Sequence, residues 1–209
     1  MATDLHFTET VLQTQEEHPE NKVYTGVGSR ETPATILAFI TKLAEQLAKQ
    51  SWILRSGGAT GADSAFETGS DEAGGRKEIY LPWKGFNGNS SSRFLNLPQS
   101  GTTMHIQDPS AKRAVELAVQ FHPLKNQLLA PTHKMRTILK LMARNSQQVL
   151  GETVSEENKS AFVICWTPKG ELKGGTRQAI LLAQHFHIPV FNLGNPQILE
   201  QVQAALQQD

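Results

Sequence analysis

Apolar positions along the chain fall into short continuous runs separated by stretches of helical spacing. Val23-Tyr24-Thr25-Gly26-Val27, Trp52-Ile53-Leu54-Arg55-Ser56, Glu78-Ile79-Tyr80-Leu81, residues 161–166 and residues 188–192 each read as a strand. The first two run into glycine and the third stops at Pro82, as buried strands commonly do. Between them lie four apolar faces at helical spacing. They are Ile36, Phe39, Ile40, Leu43 and Leu47; Ala62, Ala65 and Phe66; Ala179, Ile180, Leu182, Ala183 and Phe186; and Ile198, Leu199, Val202, Ala205 and Leu206. Thr32 is the expected N-cap of the first of these, with Pro33 at its first helical position, and Asn195-Pro196 opens the last.

Two stretches depart from this alternation. Residues 1–21 are polar and acid-leaning, with only Leu5, Phe7, Val11 and Leu12 available for packing, and predict an N-terminal tail or loosely docked arm. Across 84–150, the loop signature of residues 87–92 and a turn at Asp108-Pro109 precede two helical segments. The first carries Ala114, Val115, Leu117, Ala118 and Phe121; the second carries Met135, Ile138, Leu139 and Met142 and stops at Gly151. This stretch reads as a loop and helical insertion capping the sheet, within a single domain over 22–209. Strands alternating with helices predict a Rossmann-like α/β fold: an open, mostly parallel sheet with helices on both faces.

Composition narrows the function classes. With 209 residues, 38% hydrophobic and 19% charged, the chain suits one sizeable core and is not a disordered polymer. The formal net charge is zero, which argues against a protein built to grip a polyanion, so a nucleic acid partner is not expected. No basic-then-apolar leader and no apolar run of membrane-spanning length is present, so a cytoplasmic location without membrane contact is expected. The one cysteine, Cys165, sits in an apolar run and reads as a small core residue.

Candidate chemistry concentrates at strand-to-helix junctions. In open parallel sheets ligands bind beyond the carboxyl ends of the strands, where glycines let backbone N–H groups approach an anion. Three junctions here are rich in small residues. Gly26, Gly28, Ser29 and Arg30 form the first; Ser56, Gly57, Gly58, Ala59, Thr60 and Asp63 the second; Gly174, Gly175 and Thr176 the third, with Thr167 directly after the preceding strand. The first is not a full dinucleotide fingerprint, because Glu31 stands at the third glycine position and Lys49, Gln50 and Ser51 where an acidic ribose-binding residue belongs. Conventional NAD binding is disfavoured.

Arg30 is a candidate phosphate fork, or else a solvent-exposed or capping arginine. Asp63 and Glu67, four apart on one helix face, are candidates for holding a ribose hydroxyl, ligating Mg²⁺ or acting as acid and base; Asp63 alternatively serves only the helix dipole. Trp83 and Trp166 could stack on a base or pack in the core, with core packing favoured for Trp166. The seven histidines show no metal spacing, and His185 and His187 read as surface residues. A nucleotide-type ligand is therefore expected, no cofactor is required, and Mg²⁺ has no positive support.

The paired motif Val27-Gly28-Ser29-Arg30 and Ser56-Gly57-Gly58-Ala59-Thr60-Gly61-Ala62-Asp63 resembles the Rossmann core of DNA-processing protein A (DprA/Smf). That core is shared with LOG-type phosphoribohydrolases and other nucleotide-binding members of the SLOG group, whose late glycine motif is similar to Gly174-Gly175-Thr176. Small stand-alone DprA-like proteins of phages and bacteria carry motifs like Leu81-Pro82-Trp83-Lys84-Gly85-Phe86, Phe121-His122-Pro123 and the segment 143–151. The resemblance spans roughly residues 22–194 and implies nucleotide binding, with Arg144 and Asn145 as candidate lid or ligand contacts and self-association into a homo-oligomer. Their alternative is a helix-terminal cap and surface charge.

The LOG-type catalytic glutamate would fall at Ala179, so the resemblance does not carry over the acid/base. Binding of a nucleotide-derived small molecule without turnover is accordingly the first expectation, with sequestration of a nucleotide immune signal by a phage protein as its sharper form. A phosphoribohydrolase using Asp63 or Glu67 comes second. DprA-like binding of single-stranded DNA comes third.

Overall fold

The computed structural model describes residues 6–17, 22–97, 106–130 and 132–207. Strands β1 (Val23–Gly28), β2 (Ile53–Ser56), β3 (Lys77–Leu81), β4 (Arg93–Phe94), β5 (Phe162–Trp166) and β6 (Val190–Asn192) form one sheet in the order β4-β3-β2-β1-β5-β6. Every pairing is parallel. The chain leaves β1 toward β2 on one side and returns to β5 on the other, which places a topological switch point at the carboxyl end of β1.

Side chains alternate across the sheet and feed two cores. On one face Tyr24, Leu54, Phe162, Ile164 and Phe191 meet helices α1 (Phe7–Glu17), α2 (Ala34–Lys49), α3 (Ala62–Glu72) and α7 (Pro196–Ala205). On the other, Val27, Val163 and Cys165 meet α4 (Pro109–Phe121), α5 (His133–Leu150) and α6 (Thr176–His185). Cys165 is fully buried, and burial pushes its thiol well above the ordinary range, as suits an inert core residue. Phe162 is the hub of the first core, with ring centroids of Trp52 at 4.8 Å, Tyr24 at 5.8 Å and Phe7 at 6.0 Å.

Four expectations change. Part of the N-terminal arm, residues 7–17, is a docked helix: Phe7 and Val11, one turn apart, enter the core, and the Phe7 ring stands edge-on to Phe191 at 4.9 Å. Leu12 is half exposed, and Leu5 lies outside the described residues. Thr32 does not cap α2. Pro33 occupies the cap position without a side-chain bond, and the Thr32 hydroxyl instead donates to the Ser29 carbonyl at 2.7 Å, closing the β1–α2 loop.

The stretch 84–150 supplies more than a cap. It contributes β4, too short and too polar to read as an apolar run, and α5, whose last nine residues are all buried against the sheet. Arg144 and Asn145 are therefore interior residues (8% and 5% exposed), not a surface cap. The Thr25 hydroxyl secures α5 by donating to the Gln148 carbonyl at 2.6 Å.

A polar tie holds the far end of the same face. Arg55 Nε donates to Glu78 Oε2 at 2.7 Å, the Tyr80 hydroxyl donates to the same oxygen at 3.0 Å, and Arg55 also reaches the Asn158 carbonyl. Burial acts to raise the Glu78 carboxyl, but the hydrogen bond and charge of Arg55, with the Tyr80 hydroxyl, outweigh it and hold Glu78 below its ordinary value.

Candidate functional site

A cavity of about 530 Å³ opens beyond the carboxyl ends of β1 and β5, at the switch point. Its volume suits a nucleotide-sized ligand. The β1–α2 loop provides one wall through Gly28, Ser29, Arg30 and Glu31. Ala59 and Asp63 come from the start of α3, and the turn before α6 brings Lys173, Gly174, Gly175 and Thr176. Helix α5 closes the remaining side with an apolar part, Ile138, Leu141 and Met142, and a polar part, Arg144, Asn145 and Gln148.

Close backbone approach makes this assembly possible. Gly61, at φ +87°, lets the start of α3 seat against the first loop; a Cβ there would lie 2.6 Å from the Ser29 carbonyl oxygen. The Arg144 guanidinium lies across Gly57, where a Cβ would fall 1.5 Å from Nη1. Nη1 donates to the Gly57 carbonyl at 2.7 Å and stands 3.5 Å from Asp63 Oδ2.

Asp63 is the electrostatic centre of the floor. Its Oδ1 accepts the Gly28 N–H at 3.2 Å, and its side chain is 4% exposed. Burial raises its carboxyl above the usual range, opposed by the Arg144 charge and by backbone N–H groups of Gly28, Ala59 and Gly57. Burial likewise lowers Arg144 while Asp63 raises it. Desolvation outweighs pairing for both partners, as expected for ions withdrawn from water, yet a guanidinium stays protonated in a protein. Nε of Arg144 and Nε2 of Gln148 are buried without a hydrogen-bond partner among the described residues.

Asn145 fixes the α6 turn: its Nδ2 donates to the Gly175 carbonyl at 3.1 Å and to Gln178 Oε1 at 3.0 Å. Thr176 is 8% exposed, lines the cavity, and its hydroxyl bonds to none of the described residues.

Of the residues singled out in the sequence, Gly28, Ser29, Arg30, Ala59, Asp63, Arg144, Asn145, Gly174, Gly175 and Thr176 meet at this cavity. Others lie outside its lining. Gly26 sits within β1, where a Cβ would meet Phe66 at 2.6 Å, and the Ser56 hydroxyl donates to the Gly26 carbonyl at 2.8 Å. Gly58 packs toward Leu81 and Asn89, and Thr60 is exposed. Thr167 is tied to Asn192, and Trp83 rests edge-on against Phe86 at 5.0 Å. Trp166 belongs to the core.

Glu67 also lies outside the lining, with Asn89 donating to its Oε2 at 3.3 Å; burial raises its carboxyl, with Lys77 acting against it. Among the described residues no cluster of His, Cys, Asp or Glu is placed to hold a metal. Sequence reasoning missed Gln148, Glu31 and Lys173, because two of them are ordinary polar loop residues and the third is buried only by long-range packing of α5.

No family model matches the chain, and no curated protein matches it. A solved structure does: DNA processing protein A of Helicobacter pylori, described by its single-stranded DNA binding mode, is 17% identical with a TM-score of 0.46. The likeness covers 90% of this chain and 80% of that one. The fold is similar to that of DNA processing protein A. At this level the likeness concerns the fold alone.

It nevertheless corrects one expectation. A nucleic acid partner was not expected on the strength of net charge, whereas the DprA protein whose fold is similar is one described by binding single-stranded DNA. Net charge was also the wrong measure: residues 106–150 carry seven Lys and Arg against two Asp and Glu, so neutrality is an average over unequal parts. Among the described residues no helix is long and apolar enough to cross a membrane.

Proposed function

We propose that the cavity binds a nucleotide, or a nucleotide unit of a strand, through its phosphate and without cleaving it. The observation that carries this reading is the α6 turn. Thr176, a mostly buried residue, offers the cavity a hydroxyl that bonds to none of the described residues, beside glycine backbone at the positive end of a ten-residue helix, with Arg30 on the same cavity and Lys173, paired with Glu171, at its edge. The apolar wall of Ile138, Leu141 and Met142 is suited to the face of a base.

Binding is favoured over hydrolysis by what the cavity offers a glycosidic bond. Ala179 lines it where the hydrolase resemblance would require glutamate. Asp63 is engaged by Gly28 and Arg144, and Glu67 stands outside the lining. The test is calorimetry on protein freed of co-purified ligand, with the nucleotide recovered by chromatography. Binding of an intact nucleotide, weakened at least tenfold in Arg30→Ala, is expected; recovery of free base would favour the hydrolase instead.

A second reading, a single-stranded nucleic acid crossing the cavity mouth, is favoured by α5. This helix holds Lys134, Arg136 and Lys140 in its first half, which is at least partly exposed, and has no acidic residue. It predicts affinity that falls linearly with salt on logarithmic axes, whereas a single bound nucleotide gives a shallow dependence.

A further inference from the structure

Four amides of the first glycine loop, the segment that in a Rossmann sheet cradles a pyrophosphate, are here engaged within the protein. The Gly28 N–H donates to Asp63 Oδ1 at 3.2 Å, and the Ser29 N–H donates to the Trp166 carbonyl at 3.2 Å. The Glu31 N–H donates to Ser29 Oγ at 3.1 Å, and the Thr32 N–H to the Ser29 carbonyl at 3.4 Å. Asp63 thus occupies, as an internal anion, the place where a second ligand phosphate would lie. It also neutralises Arg144 beside it.

The opposite side differs. A Cβ built on Gly174 meets nothing within 4 Å, and one on Gly175 meets only the Met142 methyl at 3.8 Å, so this turn faces open space. Thr176, itself mostly buried, adds a hydroxyl that bonds to no described residue. With Asp63 set against Arg144, the charged groups left in the lining are Arg30, Glu31 and Lys173, and Lys173 is paired with Glu171 just outside it.

We propose that the site takes nucleotide units carrying one phosphate, held at the α6 turn, and that Asp63 is the specificity-determining residue that excludes pyrophosphate ligands. This rests on the nucleotide reading above and narrows its ligand class. A free mononucleotide and a phosphodiester unit of a strand share the chemistry. A dinucleotide cofactor or nucleotide sugar would bring a second anion to the Gly28 amide, which Asp63 Oδ1 already fills, so no loop donor is left there to receive it.

The experiment is calorimetry on the full chain at low salt. AMP, GMP, CMP and UMP are each compared with a base-matched pyrophosphate (ADP-ribose, GDP-mannose, CDP-choline and UDP-glucose), and a short oligothymidylate probes the strand. The preferred monophosphate or the oligonucleotide is expected to bind at least tenfold more tightly than any pyrophosphate. In Asp63→Asn the affinity for pyrophosphates should rise about tenfold while monophosphate binding changes less than threefold.

A wild-type protein that binds a pyrophosphate as well as its matched monophosphate overturns the inference, and so does a folded Asp63→Asn that keeps the discrimination. The wild-type ranking decides the matter if the variant does not fold. If no probe binds, the nucleotide reading itself falls and takes this inference with it. If pyrophosphates bind best, the nucleotide reading stands and only the selectivity claim is lost.

Discussion

Arg144 shows how much of the site depends on a single side chain held by two others. Its guanidinium crosses Gly57, donates to that residue's carbonyl and balances Asp63 inside the fold. Truncating it to alanine leaves a buried carboxylate without its counter-charge, and loss of one partner from such a pair costs about 3–5 kcal/mol. Arg144→Ala should therefore lower stability by that order in urea titrations. Arg144→Ala combined with Asp63→Asn should recover part of the loss, whereas simple additivity would show that the two residues do not interact.

Glu78 supplies the pH dependence at the same scale. Arg55 and Tyr80 hold its carboxyl below the ordinary 4.5 of a free glutamate, so its contribution is present above that value and fades as pH falls through the lowered folded-state value. Glu78→Gln is expected to cost about 1–3 kcal/mol at pH 7, the range for hydrogen bonds to charged groups, and progressively less toward pH 3. Urea titrations at both pH values check this; a difference that does not shrink in acid would contradict it.

At the scale of elements, α1 and α5 are the two that the pattern of apolar residues described least well. Helix α1 exposes mostly polar side chains and docks through Phe7 and Val11 alone, too few positions to stand out in a polar stretch. Phe7→Ala should cost about 3 kcal/mol, the low end for a core phenylalanine, and should raise amide exchange in α1 and α7 first. Protection lost uniformly across the sheet would show instead that α1 is integral to the cooperative core.

Helix α5 ends in Arg144-Asn145-Ser146-Gln147-Gln148, a run that looks like a solvated surface and is instead entirely interior. Its polarity is explained by what it meets: the Gly57 carbonyl, the α6 turn and Gln178. These partners are distant in sequence, so no local spacing announces them. The strands were legible because each is a continuous apolar run bounded by glycine or proline, and the glycine junctions were legible because strand ends in a parallel sheet converge. The Asp63–Arg144 pairing was not, since it exists only once α5 lies across the sheet. The charge of α5 carries its own prediction. If a strand crosses the cavity mouth, Lys134→Glu with Lys140→Glu should reduce the logarithmic salt slope by about 1.4 or more, at roughly 0.7 per phosphate contact on a single strand. Unchanged slope and affinity would remove α5 from the interface.

Across the whole molecule, the sheet order brings three chain segments to one switch point and leaves a cavity with an apolar wall, a neutralised floor and Arg30 at its mouth. That combination is suited to one phosphate and one base. Thermal melts of ligand-free protein against the nucleoside monophosphates and a short single-stranded oligonucleotide test it most directly. A ligand present at 100 times its dissociation constant stabilises the fold by about 2.7 kcal/mol, which for a chain of this size raises the melting temperature by about 5–11 °C. A shift of that size with a monophosphate or the oligonucleotide, lost in Arg30→Ala, is the predicted result. No shift with any of them would contradict the assignment of the cavity as a nucleotide site.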